Sequence, residues 1–519
     1  MSNQNRTFSG GIIDRNKTIN FIFNGKKYKG FQGDTLASAL LANDIHLVGR
    51  SFKYHRPRGI LTSGSEEPNA LIQLGIGART EPNIRATEIE LYEGLEASSQ
   101  NCWPSVDFDI GEANNLLSIF FPAGFYYKTF KWPPSLWMFY EHFIRKAAGL
   151  GKSPTAKNPD RYEQRFHYCD VMVIGGGVSG LTAALAAART KCDVLLVDEN
   201  PYFGGYLNDS DTSINGKNIN DWIRIVLDEL RSYDHVKLLK RTSAMGYYDY
   251  NYVTALEKVT NHHQELSKIL PRERYWRIRS SKIILAQGAF ERPLVFADND
   301  RPGIMMASAG KKYLRRYGVL PGKSVVLFTN NDHAYLSAFE FVSKGAKVTV
   351  VDSRNQVSHE VIKKCEELKI GIHLSHSIIG TFGQKKINAV EIQKTEDEGK
   401  KLIGSSKRLD VDLVLMSGGW NPAVQLFSQS RGKLKYDYDI NSFVPDQIVQ
   451  DQKIIGCNNG NFDLSFNLEN GFQSGLEVAK ELGKETEVLG ETPELPPERA
   501  KLHRQRSTML SKSTSKLHF

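Results

Sequence analysis

YCDVMVIGGGVSGLTAALAAARTKCDVLLVDEN, residues 168–200, is the stretch on which the fold turns. Val171–Ile174 is a continuous apolar run, the pattern of a parallel strand buried on both faces. Gly175, Gly177 and Gly180 follow as GxGxxG, with Gly176 inside the motif. The first glycine permits a tight turn, the second lets backbone approach a pyrophosphate, and the third allows close helix–strand packing. The alanine-rich helix that begins near Ser179 would aim its N-terminal N–H groups at the phosphates. A second apolar run, Val194–Val197, ends at Asp198 and Glu199, where an acid can hydrogen-bond ribose hydroxyls. Strand, glycine turn, helix, strand and acid together predict a dinucleotide site, and the motif accepts NAD or FAD.

PYFGG at 201–205 continues this unit, adding Gly204 and Gly205 to the candidate site. KIILAQGAFERP at 282–293 supplies a returning strand and a turn at Gly288. The rhythm recurs at 322–354, GKSVVLFTNNDHAYLSAFEFVSKGAKVTVVDSR, where Asp352 ends the second strand. There Thr329, Asn330 and Asn331 occupy the turn in place of glycines, and their side chains would block a pyrophosphate. This reads as a second Rossmann-like scaffold with its nucleotide site lost; the alternative is a site rebuilt on Asn and Thr side chains. An apolar strand running into Ser417, Gly418 and Gly419 returns the chain to the first domain, and the glycines of 454–483 suit a strand, a turn and a helix near the dinucleotide.

Toward the N-terminus, KTINFIFNGKKYKG at 17–30 places Asn24-Gly25 between two alternating runs, a hairpin signal. GDTLASALLAND follows at 33–44, with Asp34 or Thr35 as helix cap. Hairpin then helix opens a β-grasp fold of the ferredoxin type. The next loop, VGRSFKYHRPRGI at 48–60, concentrates Arg50, Lys53, Arg56 and Arg58 but no cysteine, so thiolates cannot hold an iron–sulfur cluster there. It is expected to pack between domains and offer guanidinium groups to an anionic partner, a cofactor phosphate or subunit carboxylates. Residues 101–165 are an aromatic-rich connector, whose helix-like second half is expected to pack on the next domain rather than lie on a membrane surface.

Composition bounds the rest. The net charge of +9 is concentrated past Glu498, where Arg499, Lys501, Arg504, Arg506, Lys512 and Lys516 occur with no acid. The nearly balanced body argues against nucleic acid. The five cysteines are scattered, which disfavours a CxxC metal site and fits a reducing cytoplasm. With no run of eighteen apolar residues, no membrane span is expected. No metal site is expected, and catalytic residues stay unassigned: Ser–His–Asp, HExxH and P-loop patterns are absent, and His55, His333 and His503 are not singled out.

GRSFKYHRPRGI, AGFYYKTFKWP, GGGVSGL, SGGWNPAVQLFSQSRGKL and GFQSGLE, spread from residue 49 to 477, together resemble the α subunit of bacterial heterotetrameric sarcosine oxidase. The resemblance implies a cluster-free β-grasp domain (1–100), the connector (101–165), a discontinuous FAD/NAD(P)-binding Rossmann-like domain (166–300 and 411–485), a second Rossmann-like domain (301–410) and a linker with basic tail (486–519). It implies β, γ and δ partner subunits, FAD in the β subunit where sarcosine is oxidised, and FMN at the α–β interface that passes electrons to oxygen, giving peroxide. It assigns NAD to this chain's glycine motif and Asp198, with FAD the less favoured occupant. In that family the α subunit continues into a folate-binding half; here a basic tail follows, so that half is expected to be encoded separately or lost. Alternatives are a subunit of a related amine or imino-acid dehydrogenase and a non-catalytic dinucleotide-binding scaffold.

Overall fold

The computed structural model describes residues 4–120, 132–263, 269–396, 399–485, 490 and 492–496. AGFYYKTFKWP, apart from its last two residues, and the basic tail lie outside these. The N-terminal unit opens with β1 (Asp14–Phe23) and β2 (Lys26–Gln32), joined at Asn24 (φ 51°) and Gly25 (φ 74°). Both φ values are positive, as the Asn-Gly turn requires. Helix α1 (Leu36–Ala42) starts from Thr35, whose hydroxyl accepts from Ser38 N while Ser38 Oγ accepts from Thr35 N, a capping box. Strands β3 (Leu71–Leu74), β4 (Glu81–Arg85) and β5 (Leu95–Ser99) complete a five-stranded sheet in the order β2-β1-β5-β3-β4. Its central pair β1–β5 is parallel, the β-grasp arrangement expected.

The connector departs from expectation. Among the described residues of helix α2 (Trp137–Ala148), Met138, Phe139 and Phe143 are 74%, 61% and 56% exposed rather than covered by the next domain. Trp103, Phe108, Ile119, Phe120 and Trp132 are exposed beside it in sequence. Amphipathic spacing shows that one face needs cover but does not say what supplies it.

The first dinucleotide domain is built on β6 (Tyr162–Ile174), α3 (Val178–Arg189), β7 (Val194–Val197), β8 (Val236–Leu239), β9 (Thr242–Tyr248), β10 (Tyr252–Lys258) and β11 (Glu273–Leu285). Its sheet runs β8-β7-β6-β11-β10-β9, with the late strand Gln452–Ile454 also on β11. The β8-β7-β6-β11 part is parallel. A short antiparallel pair, β12 (Ala289–Glu291) and Trp420–Pro422, joins this domain to the second.

The second domain contributes β13 (Ile304–Met306), α4 (Ala307–Tyr317), β14 (Ser324–Thr329), α5 (Tyr335–Ser343), β15 (Lys347–Asp352), β16 (Gly371–Leu374) and a last strand, Leu413–Ser417. All five strands are parallel. The buried side chains of the β-grasp unit and the second domain form one cluster, from Phe21 and Leu40 to Tyr313 and Leu415. The first domain keeps its own cores. It meets the β-grasp unit through ion pairs: Arg241 with Glu90, Lys258 with Glu88, and Arg272 with Glu81.

Candidate functional site: a glycine-lined crevice

The GxGxxG glycines divide their labour as steric contacts dictate. A Cβ on Gly175 (φ +103°) would stand 2.4 Å from Ala286 O, and one on Gly180 only 1.8 Å from Gly175 O. Both positions are closed by the protein itself. A Cβ on Gly176 would meet the Phe203 ring at 2.2 Å. Gly177 alone of this group has nothing within 4 Å in that direction. It is the N-cap of α3, so the open space lies before the helix's free N–H groups and positive end. Ser179 is buried and faces Gly456, whose added Cβ would be 2.5 Å from Ser179 Oγ, so its side chain packs against the C-terminal segment.

Asp198 is engaged within the turn. Oδ2 accepts from Gly176 N at 2.7 Å, and Oδ1 from Asn200 N at 2.8 Å and Nδ2 at 3.0 Å. Burial pushes its carboxyl above the ordinary range against these bonds. Its acid thereby fixes the glycine loop. Glu199 projects from the strand end, and its Oε1 accepts from Ser65 Oγ at 3.0 Å, which brings the β-grasp unit to the end of β7. Gly204 and Gly205 form a supporting layer: Gly204 N donates to Gly176 O at 2.8 Å, and a Cβ on Gly205 would lie 3.1 Å from Gly177 Cα.

Gly288 (φ +80°) and Gly419 (φ +97°) again have nothing within 4 Å of an added Cβ. Gly418 is a packing glycine, blocked by Leu294 and the Arg292 and Pro293 carbonyls. Of the twelve sequence-selected residues, Gly177, Glu199, Gly288 and Gly419 are therefore open or projecting, and the others shape the wall behind them.

Four further residues escape sequence reasoning. Glu291 sits directly across the β12 pair from Trp420. Its Oε2 accepts from Ser308 N at 2.8 Å and Ser308 Oγ at 2.5 Å, and burial pushes its carboxyl up to about 7. The Trp420 ring meets Tyr206 edge-on at 5.0 Å and His333 at 5.6 Å. The one available signal was position: Glu291 lies three residues past Gly288, and Tyr206 and Trp420 each directly follow a glycine pair.

The second domain's turn is filled by its own side chains. Thr329, Asn330 and Asn331 are buried; Thr329 Oγ1 donates to Ser417 O at 3.1 Å, and Asn331 Oδ1 accepts from Ala334 N at 3.1 Å. Asp352, at the end of β15, is held by Arg354 Nε at 3.0 Å and Nη2 at 2.7 Å and by Tyr335 Oη at 2.9 Å.

The basic loop finds its carboxylates within the same chain. Arg56 pairs with Asp298 at 2.6 Å and with Asp300 at 2.7 Å, and Arg58 also pairs with Asp300. Arg50 is buried, donating to Val106 O and His55 O and pairing with Glu112. Neither a cofactor phosphate nor another polypeptide is needed to balance Arg56 and Arg58.

A pyridine nucleotide-disulphide oxidoreductase model matches residues 169–447, and a 2Fe-2S iron–sulfur cluster binding domain model matches 16–102. A cluster does not fit the second match, because Cys102 is the first cysteine of the chain. The chain is similar to the sarcosine oxidase α subunit of Rhizobium meliloti (strain 1021), 46% identical over 91% of this chain and 47% of that one. The α subunit of sarcosine oxidase from Corynebacterium sp. (strain U-96) is 33% identical over 94% of this chain and 46% of its own. An opine oxidase subunit of Agrobacterium tumefaciens (strain Ach5) is 24% identical over 54% of this chain and 58% of its own. The chain thus spans about half the length of the curated sarcosine oxidase relatives it matches. Among solved structures, L-proline dehydrogenase from P. horikoshii shares the fold at TM-score 0.60 and 18% identity, over 97% of this chain and 79% of that one.

Proposed function

The chain belongs to the pyridine nucleotide-disulphide oxidoreductase family, and on that premise we propose that it is the NAD-holding α subunit of a sarcosine oxidase-type complex. The observation that carries this reading is the open space at Gly177, the N-cap of α3, beside a glycine loop whose Gly176 N is held by Asp198. The identity to sarcosine oxidase α subunits over nine-tenths of the chain supplies the context. Backbone N–H groups at the start of α3 would receive the pyrophosphate, and Glu199 with Asp198 would meet the adenosine ribose. Two adjacent acids disfavour an added 2′-phosphate, which supports NAD over NADP. When bound, NAD supplies a ring that accepts or returns a hydride.

The filled turn at Thr329–Asn331 and the Arg354–Asp352 pair support one dinucleotide per chain. Oxidative demethylation of sarcosine to glycine, with peroxide production, would belong to a β subunit carrying FAD. FMN would sit where α and β meet, with γ and δ subunits completing the assembly. The exposed aromatic surface of the connector supports the role of one component in a complex rather than a free enzyme. Cytoplasmic residence belongs to the same reading; among the described residues no helix is long and apolar enough to cross a membrane.

Denaturing the purified protein and identifying the released nucleotide tests the cofactor: NAD is expected, and released FAD would overturn that assignment. Sarcosine-dependent peroxide formation on co-expression with a β-type flavoprotein tests the activity. The similarity to an opine oxidase favours one second reading, a dehydrogenase component for a secondary amine. Electron delivery to a dye or quinone, without peroxide, would select it.

A further inference from the structure

We propose that a polar cavity between the β-grasp unit and the first dinucleotide domain is a seat for a small zwitterionic amino acid, its carboxylate received by Arg272 and its ammonium by Glu273 and Asn261. None of the lining residues belongs to the glycine motif, and the inference stands apart from the dinucleotide and oxidase readings above. The cavity has a volume of about 130 Å³. A void of that size takes a compact molecule of about six non-hydrogen atoms, as benzene fills a comparable engineered one. Both units line it. Leu74, Ile84 and Ile89 of the β-grasp unit suit the carbon part of a ligand, and Asn261, His262, Arg272 and Glu273 of the first domain bring the polar groups. Thr260 N donates to Arg272 O at 3.1 Å, so the pairs Asn261–His262 and Arg272–Glu273 lie side by side just beyond the last β10–β11 partners, Lys258 and Glu273.

These two short segments carry unmet polar groups. Arg272 is 6% exposed; its Nη1 donates to Asp160 at 2.9 Å and its Nη2 pairs with Glu81 at 2.8 Å, yet Nε is buried without a partner. Asn261 Nδ2 donates to Glu273 Oε1 at 3.0 Å, while Asn261 Oδ1 and His262 Nδ1 are buried without partners. Among the described residues Glu273 makes no ion pair: Lys258, directly across the strands from it, turns its Nζ to Glu88 at 2.9 Å. Buried polar atoms in folded proteins are rarely left unpaired. Here they divide into one guanidinium donor, which wants a carboxylate, and carboxylate and amide acceptors, which want N–H groups. An α-amino acid carries both on one carbon. Burial and then the Arg241 charge keep the His262 ring neutral near pH 7, so Nδ1 can serve as a further acceptor. Charge balance disfavours a simple ion. Four arginine or lysine and four glutamate side chains line the cavity, and a partly buried net charge would upset that balance where a zwitterion does not.

Saturation-transfer NMR on the full chain, with glycine and sarcosine as probes, tests the seat. Both are expected to bind. Acetate and methylammonium, which carry one charge each, should bind about tenfold more weakly or worse. Leucine, too large for the cavity, should give no signal. Glu273→Gln keeps the acceptor for Asn261 and removes the charge, so it should weaken both probes about tenfold while leaving the ligand-free thermal midpoint nearly unchanged. Asn261→Ala should weaken them as well. Arg272 is left intact, because it also anchors Asp160 and Glu81. Since the seat joins two units, saturating glycine should raise the thermal midpoint of the wild type and not that of Glu273→Gln. Absence of binding at tens of millimolar, acetate binding as tightly as glycine, or affinity that survives both substitutions would each overturn the proposal.

Discussion

Arg56 and Asp300 stand 244 positions apart in the chain and are joined by two hydrogen bonds, Nε to Oδ2 at 2.9 Å and Nη2 to Oδ1 at 2.7 Å. This fork-on-fork contact fastens the β-grasp unit to the segment between β12 and β13, close to where the two Rossmann-like domains are connected. Arg58 reinforces it on the same carboxylate. The loop that looks made for a polyanion is a strap within one chain.

Replacing Arg56 and Arg58 together by alanine should lower stability by about 1–3 kcal/mol, since partly buried charged pairs lose more than surface ones. Asp298→Asn with Asp300→Asn should reproduce most of that loss, and combining the two sets should cost little more. Thermal midpoints of the three variants check this. Strict additivity would mean that the partners do not act as one unit.

Gly177 and Gly180 should separate binding from folding. An alanine methyl at 180 would collide with Gly175 O, so Gly180→Ala should cost about 3 kcal/mol or more. At 177 the backbone (φ −74°) admits alanine and the space is open, so Gly177→Ala should leave the thermal midpoint nearly unchanged. It should nonetheless weaken dinucleotide binding at least tenfold, by occupying the approach to the helix N-terminus. Paired melting and calorimetry distinguish the two effects.

Glu291 makes a signed prediction with pH. Its folded-state value, about 7, lies above the ordinary 4.5, so between these limits the unfolded chain releases the proton first. Stability should therefore fall as pH rises from about 4.5 to 7, by at most about 3 kcal/mol, and level off above. Glu291→Gln should flatten that slope and be relatively more stable than wild type at pH 8, as thermal melts across the range would register.

His262 makes the opposite prediction. It lines a polar cavity between the β-grasp unit and the first dinucleotide domain, with Arg241, Arg272, Glu88 and Glu90. Burial and then the Arg241 charge lower its value to about 4. The unfolded chain takes up the proton from about 6.5 downward while the folded one resists, so stability should be lost as pH falls from 6.5 toward 4. His262→Gln should remove about 3 kcal/mol or less of this acid sensitivity, measured by urea unfolding at pH 7 and pH 5.

What was legible in the sequence was what short-range sterics dictate. The glycine motif, the Asn-Gly turn and the capped helix each declare themselves within a few residues, and each stands where its local chemistry placed it. The far wall of the crevice was not legible. Tyr206, Glu291, His333 and Trp420 come from four separate segments, and no periodicity links them. The strap was half legible: its cations announced themselves, but Asp298 and Asp300 sit in an unremarkable run, ADND, whose meaning is only three-dimensional. The connector helix showed its amphipathic spacing correctly; periodicity encodes a face, not its occupant.

The turn at Thr329–Asn331 has a consequence for reversibility. Asn331 caps the helical turn after it and ties that turn to Ser417, while Arg354 locks Asp352. Placing a glycine at position 331 would remove a cap and two anchoring bonds without freeing the acid. Such a step costs stability while Asp352 stays held by Arg354. The side chains that fill this turn thus act as structural members of the second domain, and opening it takes more than one substitution.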